Sequence, residues 1–191
     1  MEWKNIRAIH CFGDSLTAGY GAFPGKGWVA QLDLRLRGIS VYSHGVCGAL
    51  VSDIVDEMSG FTSFADAGDA VFFMGGTNDI LCGYQLEFLE KKVEVLVREV
   101  AEKMPLTLGI PPLATRESIF TGWQSEENFD LNQKNLLDYG DFLRELARRE
   151  NILCLDFAKA FPEEDAWYAD GLHPNGKGYE RMADLAVSLW Q

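Results

Sequence analysis

Two stretches far apart in this sequence carry the residue types that perform acyl transfer. Gly13-Asp14-Ser15-Leu16 directly follows an apolar run, which sets the Ser15 hydroxyl at the end of a strand. A serine hydroxyl is a poor nucleophile until a base takes its proton. A base of the right kind lies in Asp170-Gly171-Leu172-His173-Pro174-Asn175, where a carboxylate and an imidazole share one loop. Pro174 biases His173 toward extended backbone, so that Asp170 can reach the ring edge. A carboxylate on Nδ1–H fixes the tautomer and stabilises the imidazolium when it forms. The other two histidines are less suited: His10 lies inside an apolar run, and His44 closes the second run with no such partner in its own loop.

Two further blocks sit where strands should end. His44-Gly45-Val46-Cys47-Gly48 has two glycines three apart, a pattern of close backbone approach or positive φ. In Gly75-Gly76-Thr77-Asn78-Asp79 the Asn78 amide could donate into a crevice or make a local Asx turn. Blander roles are expected for the rest: Asp14 ties its turn to backbone N–H groups, Asp79 caps the segment after it, and Asn175 caps the last helix. A metal held by His44, Cys47 and Asp53 has no recognised zinc spacing. A Cys47 nucleophile explains the Asp–His pair less well than Ser15 does.

The elements that must position these residues are read from periodicity. Ala8–Phe12, Ile39–Ser43, Asp69–Met74, Leu106–Ile110 and Ile152–Leu155 read as strands. The nearly continuous apolar run Asp69–Met74 suits a strand covered on both faces. Leu86, Leu89, Val93, Leu96 and Val100 step by three and four, as one face of a helix does. Leu136, Tyr139, Leu143 and Leu146 form a second stripe, and Tyr179, Met182, Ala186 and Leu189 a third. Trp28–Leu36 and Val51–Met58 are shorter helical candidates. Strand and helix alternating in this way imply a mostly parallel sheet with helices on both faces. Ligands bind such sheets beyond the carboxyl ends of the strands, where all four blocks fall. The segment 111–128 is long for a connection and carries Phe120 and Trp123, so it reads as a functional, lid-like excursion or as a surface excursion burying two aromatics.

Composition bounds the function. The chain has 191 residues, 47% of them hydrophobic, enough for one full-sized core. Its formal net charge of −12 argues against nucleic acid or an anionic membrane as the main partner. No apolar run is long enough for a membrane span. The opening residues MEWKNIRAIHCFGDS do not read as a signal peptide. Cys11, Cys47, Cys82 and Cys154 form no C-x-x-C pair, which suits reduced thiols and a cytoplasmic location. Oligomeric state is not legible.

Taken together, GDSL at 13–16, the Gly-bearing turn at 45–48, GTND at 76–79 and DGLHP at 170–174 resemble the GDSL esterase/lipase family, the SGNH hydrolases. The order Ser, Asp, His also matches α/β-hydrolases, but no G-x-S-x-G elbow is present. The resemblance spans nearly the whole chain and implies a single SGNH/GDSL domain over residues 1–191. It implies a flavodoxin-like three-layer α/β/α sandwich with five parallel strands in the order 2-1-3-4-5. It makes Ser15 the nucleophile, with Asp170 and His173 completing the triad. The oxyanion hole would be the N–H groups of Ser15 and Gly48 with the Asn78 amide. The chain departs from the family in carrying Ser43 where Asn is frequent and Cys47 where Ser is frequent.

Chemically, the resemblance implies a serine esterase for small or short-chain acyl esters, working through an acyl-enzyme without metal or organic cofactor. Carbohydrate O-acetylesterase, lysophospholipase and thioesterase activities are alternatives on the same site. A non-catalytic binding module is the reading from another class, and the presence of Ser15, Asn78 and His173 together disfavours it. Candidate substrate walls are Leu81, Trp123 and Leu172, with Tyr84, Phe120 and Trp167 nearby.

Overall fold

The structure, a computed structural model, describes residues 5–161 and 164–190. Five strands, β1 (Ala8–Gly13), β2 (Ser40–Gly45), β3 (Asp69–Met74), β4 (Leu106–Ile110) and β5 (Leu153–Asp156), form one parallel sheet in the order β2-β1-β3-β4-β5. The order matches the one implied by the family resemblance, and each strand lies within two residues of its sequence-based limits. Side chains alternate across the sheet, so Val71 and Phe73 enter one core while Ala70, Phe72 and Met74 enter the other. This double burial is why the third strand reads as an unbroken apolar run.

The first core is closed by α3 (Val51–Thr62), α5 (Leu86–Ala101) and α7 (Glu126–Glu150), through Ile54, Met58, Val93, Leu96, Tyr139 and Leu143. The second is closed by α2 (Trp28–Arg35) and α9 (Gly176–Trp190), which pack on each other and bury Trp28, Leu32, Tyr179 and Met182. Burying side chains of this size is worth about 1.5–3 kcal/mol each. These two layers fix the sheet from which the site loops project.

Short helices sit at the strand ends: α1 (Ser15–Ala18), α4 (Thr77–Leu81), α6 (Glu117–Phe120) and α8 (Phe157–Ala160), with a 3₁₀ turn at Asp165–Trp167. Within the excursion 111–128 the structure has α6 and the first turn of α7. The α7 start carries no apolar stripe, and its signal is instead the cap. Ser125 accepts from the Asn128 N–H, and Glu126 and Glu127 lie in the first turn, where the helix dipole favours anions. Among the described residues no helix is long and apolar enough to cross a membrane.

Candidate active site

Parallel register brings Gly13, Gly45 and Met74 level, so the loops leaving β1, β2 and β3 emerge side by side at one end of the sheet. The first loop carries Ser15 at the start of α1. Asp14 caps this short helix, its Oδ1 accepting from the Leu16 N–H at 2.9 Å, as its place in the turn suggests. The Trp28 indole N–H donates to the Leu16 carbonyl at 3.1 Å and ties the turn to α2. Ser15 is thereby fixed and only 8% exposed.

The DGLHP loop arrives from the other end of the chain. An isolated antiparallel bridge between Tyr168 and Pro174 and a bond from the Ala169 N–H to the His173 carbonyl (2.8 Å) close it into a tight turn. Asn175 anchors that turn to α9. Its Oδ1 accepts from the N–H groups of Lys177 (3.0 Å) and Gly178 (3.2 Å), the expected helix cap. Its Nδ2 also donates to the carbonyls of Ala166 and Tyr168, a second role that sequence did not reveal.

Within this frame His173 Nε2 lies 3.0 Å from Ser15 Oγ, and His173 Nδ1 lies 2.9 Å from Asp170 Oδ2. Asp170 Oδ1 accepts the backbone N–H groups of Leu172 (3.0 Å) and His173 (2.7 Å). Burial alone would raise the Asp170 carboxyl, but these bonds outweigh it and hold it below the usual carboxylate range. An ionised carboxylate, an imidazole and a hydroxyl in series can move a proton from the hydroxyl to the ring.

Facing Ser15, the loop 46–50 hangs from β1 by the Val46 N–H to Gly13 carbonyl bond (3.0 Å). Gly48 holds a left-handed φ of +80°, which glycine adopts without strain. The backbone N–H groups of Ser15 and Gly48 have no acceptor among the described residues. Asn78 Nδ2 donates to the Ala49 carbonyl at 2.9 Å. An amide nitrogen carries two protons, so one remains for another acceptor. Asp79 does not cap the segment after it: its Oδ2 takes the Val51 N–H at 3.0 Å, at the start of α3. Being in the first turn of α4, it faces the neighbouring helix start, and so it buttresses the same loop that Asn78 holds.

The remaining sequence candidates differ in exposure and contacts. Leu172 is buried, and its backbone N–H reaches Asp170. Leu81 and Trp167 are half-buried, while Tyr84 and Phe120 are exposed. Trp123 is partly exposed, and its indole N–H donates to Asp170 Oδ2 at 2.8 Å. Tyr20, which no sequence signal marked, packs its ring 4.4 Å from that of His173. His44 turns away from Cys47 and Asp53. It pairs with His10 (3.0 Å) and Glu57 (3.5 Å), while Asp53 accepts the Leu50 N–H. Burial lowers the His10 imidazole below its ordinary range, with Asp69 opposing the shift.

A five-stranded parallel sheet in this order, flanked by helices, with these blocks at its strand ends, defines an SGNH-type hydrolase. The chain belongs to the GDSL-like lipase/acylhydrolase family, whose model matches residues 11–181. Membership makes it a serine ester hydrolase. It is 29% identical over 195 residues to an acetylxylan esterase of Geobacillus stearothermophilus, covering 90% of this chain and 88% of that protein. A G-D-S-L lipolytic protein of Veillonella parvula DSM 2008 superposes with a TM-score of 0.83 at 26% identity, covering 95% and 97% of the two chains. A mutant of an acetyl-xylooligosaccharide esterase from Geobacillus shares the fold with a TM-score of 0.75 at 23% identity, covering 96% and 94%.

Proposed function

We propose that the protein hydrolyses small or short-chain acyl esters, with Ser15 as nucleophile, His173 as general base and acid, and Asp170 as the orienting carboxylate. The observation that carries this is the continuous series from Asp170 Oδ2 through both ring nitrogens of His173 to Ser15 Oγ, at 2.9 and 3.0 Å. Ser15 Oγ attacks the ester carbonyl carbon as its proton passes to His173 Nε2. The carbonyl oxygen takes the negative charge and receives the N–H groups of Ser15 and Gly48 and the spare Asn78 N–H. Collapse breaks the bond to the alkoxide, which leaves with the proton from His173. Water then attacks the acyl-enzyme, giving its proton to His173, and the acid departs as Ser15 recovers its hydrogen. Donors aimed beforehand at the oxyanion act chiefly in the transition state, where the charge appears.

A second, narrower reading is deacetylation of an acetylated xylo-oligosaccharide. It is favoured by the acetylxylan esterase relative and by two partly exposed rings that pack on His173, Tyr20 and Trp123. Such rings suit the apolar face of a sugar. The experiment is kinetics on p-nitrophenyl esters from acetate to octanoate, alongside acetylated xylo-oligosaccharides. Highest kcat/KM on the shortest esters supports the first reading, and strong preference for the oligosaccharide supports the second. Preference for octanoate overturns both.

A further inference from the structure

The excursion 111–128 is bonded to the loop that carries Asp170 and His173 at several points. The Thr115 N–H donates to the Gly171 carbonyl (2.7 Å), Thr121 Oγ1 to the Asp170 carbonyl (2.7 Å), and Trp123 Nε1 to Asp170 Oδ2 (2.8 Å). Gly171 lies so close that a Cβ there would stand 2.1 Å from the Ser118 nitrogen. Its φ of +78° also requires glycine. The segment thus backs the catalytic loop from behind.

Trp123 is itself locked in place. Its backbone N–H donates to the Ser118 carbonyl (2.9 Å), and Ser118 Oγ donates to the Thr115 carbonyl (2.6 Å). Gln124 Nε2 donates to Ser118 Oγ (2.7 Å) and its Oε1 accepts from Asn132 on α7 (3.0 Å). The indole ring stands 4.7 Å from the His173 ring at 70°, and Tyr20 packs edge-on against it. Asp170 Oδ2 therefore receives two donors, the imidazole it must orient and the indole from the excursion.

We infer that Trp123 is a positioning residue for ester hydrolysis: its indole N–H fixes the Asp170 oxygen that aligns His173 and draws off part of that oxygen's charge. This rests on the triad reading above. A hydrogen bond to an ionised acceptor is roughly twice as strong as a neutral one. Without it, Oδ2 bears its charge on the imidazole alone, so the imidazolium is favoured and the free base becomes scarcer at low pH. The ionisable groups around the pair are Glu117 on α6, Asp165 bonded to Thr115 Oγ1, Tyr20 after α1, and Tyr179 on α9. None of these donates to Oδ2, so the indole N–H is the tuning contact.

The test replaces Trp123 with benzothienylalanine, which keeps the bicyclic ring and substitutes sulfur for N–H, and separately makes Trp123→Phe. Turnover of p-nitrophenyl acetate is measured across pH, with Ser15→Ala in parallel and thermal melting to verify folding. The isostere is expected to lower kcat about tenfold with KM changed less than about twofold. It should also move the acid limb of kcat/KM up by about half a pH unit. The low-field proton resonance between His173 and Asp170 should shift with it. An isostere with unchanged kcat and acid limb, or a loss confined to KM, overturns the role of Trp123. If instead Ser15→Ala keeps turning over ester, it is the triad reading that fails.

Discussion

Ser15 and His173 stand 158 positions apart in the chain and 3.0 Å apart in space. The helix layer beneath them makes the meeting. Trp28 of α2 holds the carbonyl of Leu16, and Tyr179 of α9 donates its hydroxyl hydrogen to the carbonyl of Tyr20 at 2.9 Å. Because α2 and α9 pack on each other, the Ser15 turn and the loop preceding α9 are fixed to one body. The approach of hydroxyl to imidazole is therefore a property of the fold and exists before substrate arrives, which under the proposed mechanism would lower the entropic cost of the attack.

Ser15→Ala should abolish ester turnover, with kcat falling at least about 10³-fold, while the melting temperature stays near that of the parent. The side chain lost is small and, among the described residues, makes one hydrogen bond, to His173. A fluorophosphonate should label the parent at Ser15 and leave the variant unlabelled. An unchanged kcat contradicts the assignment.

Asp170→Asn keeps the shape of the side chain but gives it an amide where donors already converge. Indole and imidazole both point hydrogen at Oδ2, and two backbone N–H groups point at Oδ1. The amide NH₂ must face one of these pairs: toward the ring it favours the wrong imidazole tautomer, and toward the backbone it opposes the two N–H groups that fix the loop. Loss of kcat by about 10³–10⁴-fold is expected. In the parent, kcat/KM should fall on the acid side, since a protonated imidazole cannot accept the hydroxyl proton. A flat profile from about pH 5 to 8 contradicts a histidine base.

Asn78→Ala removes the tie to the Ala49 carbonyl and, in the proposed mechanism, a donor to the developing oxyanion. The expected cost is about 10²–10³ in kcat with KM little changed, because the donated bond strengthens only as charge builds. Asn78→Asp, which keeps the side chain's size, should lose as much. A change confined to KM in both variants contradicts the transition-state role.

The sheet and the four turn blocks at its strand ends were legible in the sequence because both rest on local signals. Apolar runs mark strands covered on both faces, and short Gly-, Asn- and Asp-bearing turns mark where they end. The long-range side-chain bonds were not legible. Trp123 reads as an aromatic in a loop, and nothing in its neighbours says that its N–H meets a carboxylate 47 positions later. Asp79 reads as a cap for its own short helix, yet the N–H that it accepts belongs to α3, 28 positions earlier. Tyr20 touches His173 only because α9 draws the turn after α1 toward it. Such contacts depend on how elements pack, which spacing along the chain does not encode.

Asp14 offers a stability test apart from catalysis. Its carboxyl is buried, and Oδ2 has no partner among the described residues. Burial, reinforced by the charge of Asp79, pushes its pKa up to about 7 against the bond from the Leu16 N–H. In the unfolded chain the group titrates near 3.8. Between those values the folded protein keeps a proton that the unfolded chain has released, so stability falls as pH rises through the window. Asp14→Asn preserves an acceptor for Leu16 and cannot ionise. Its melting temperature relative to the parent should therefore rise by about 3 °C or more between pH 5 and pH 8. A difference that stays constant across that range would mean that Asp14 binds protons alike in both states, and that its lone oxygen finds a compensating donor when charged.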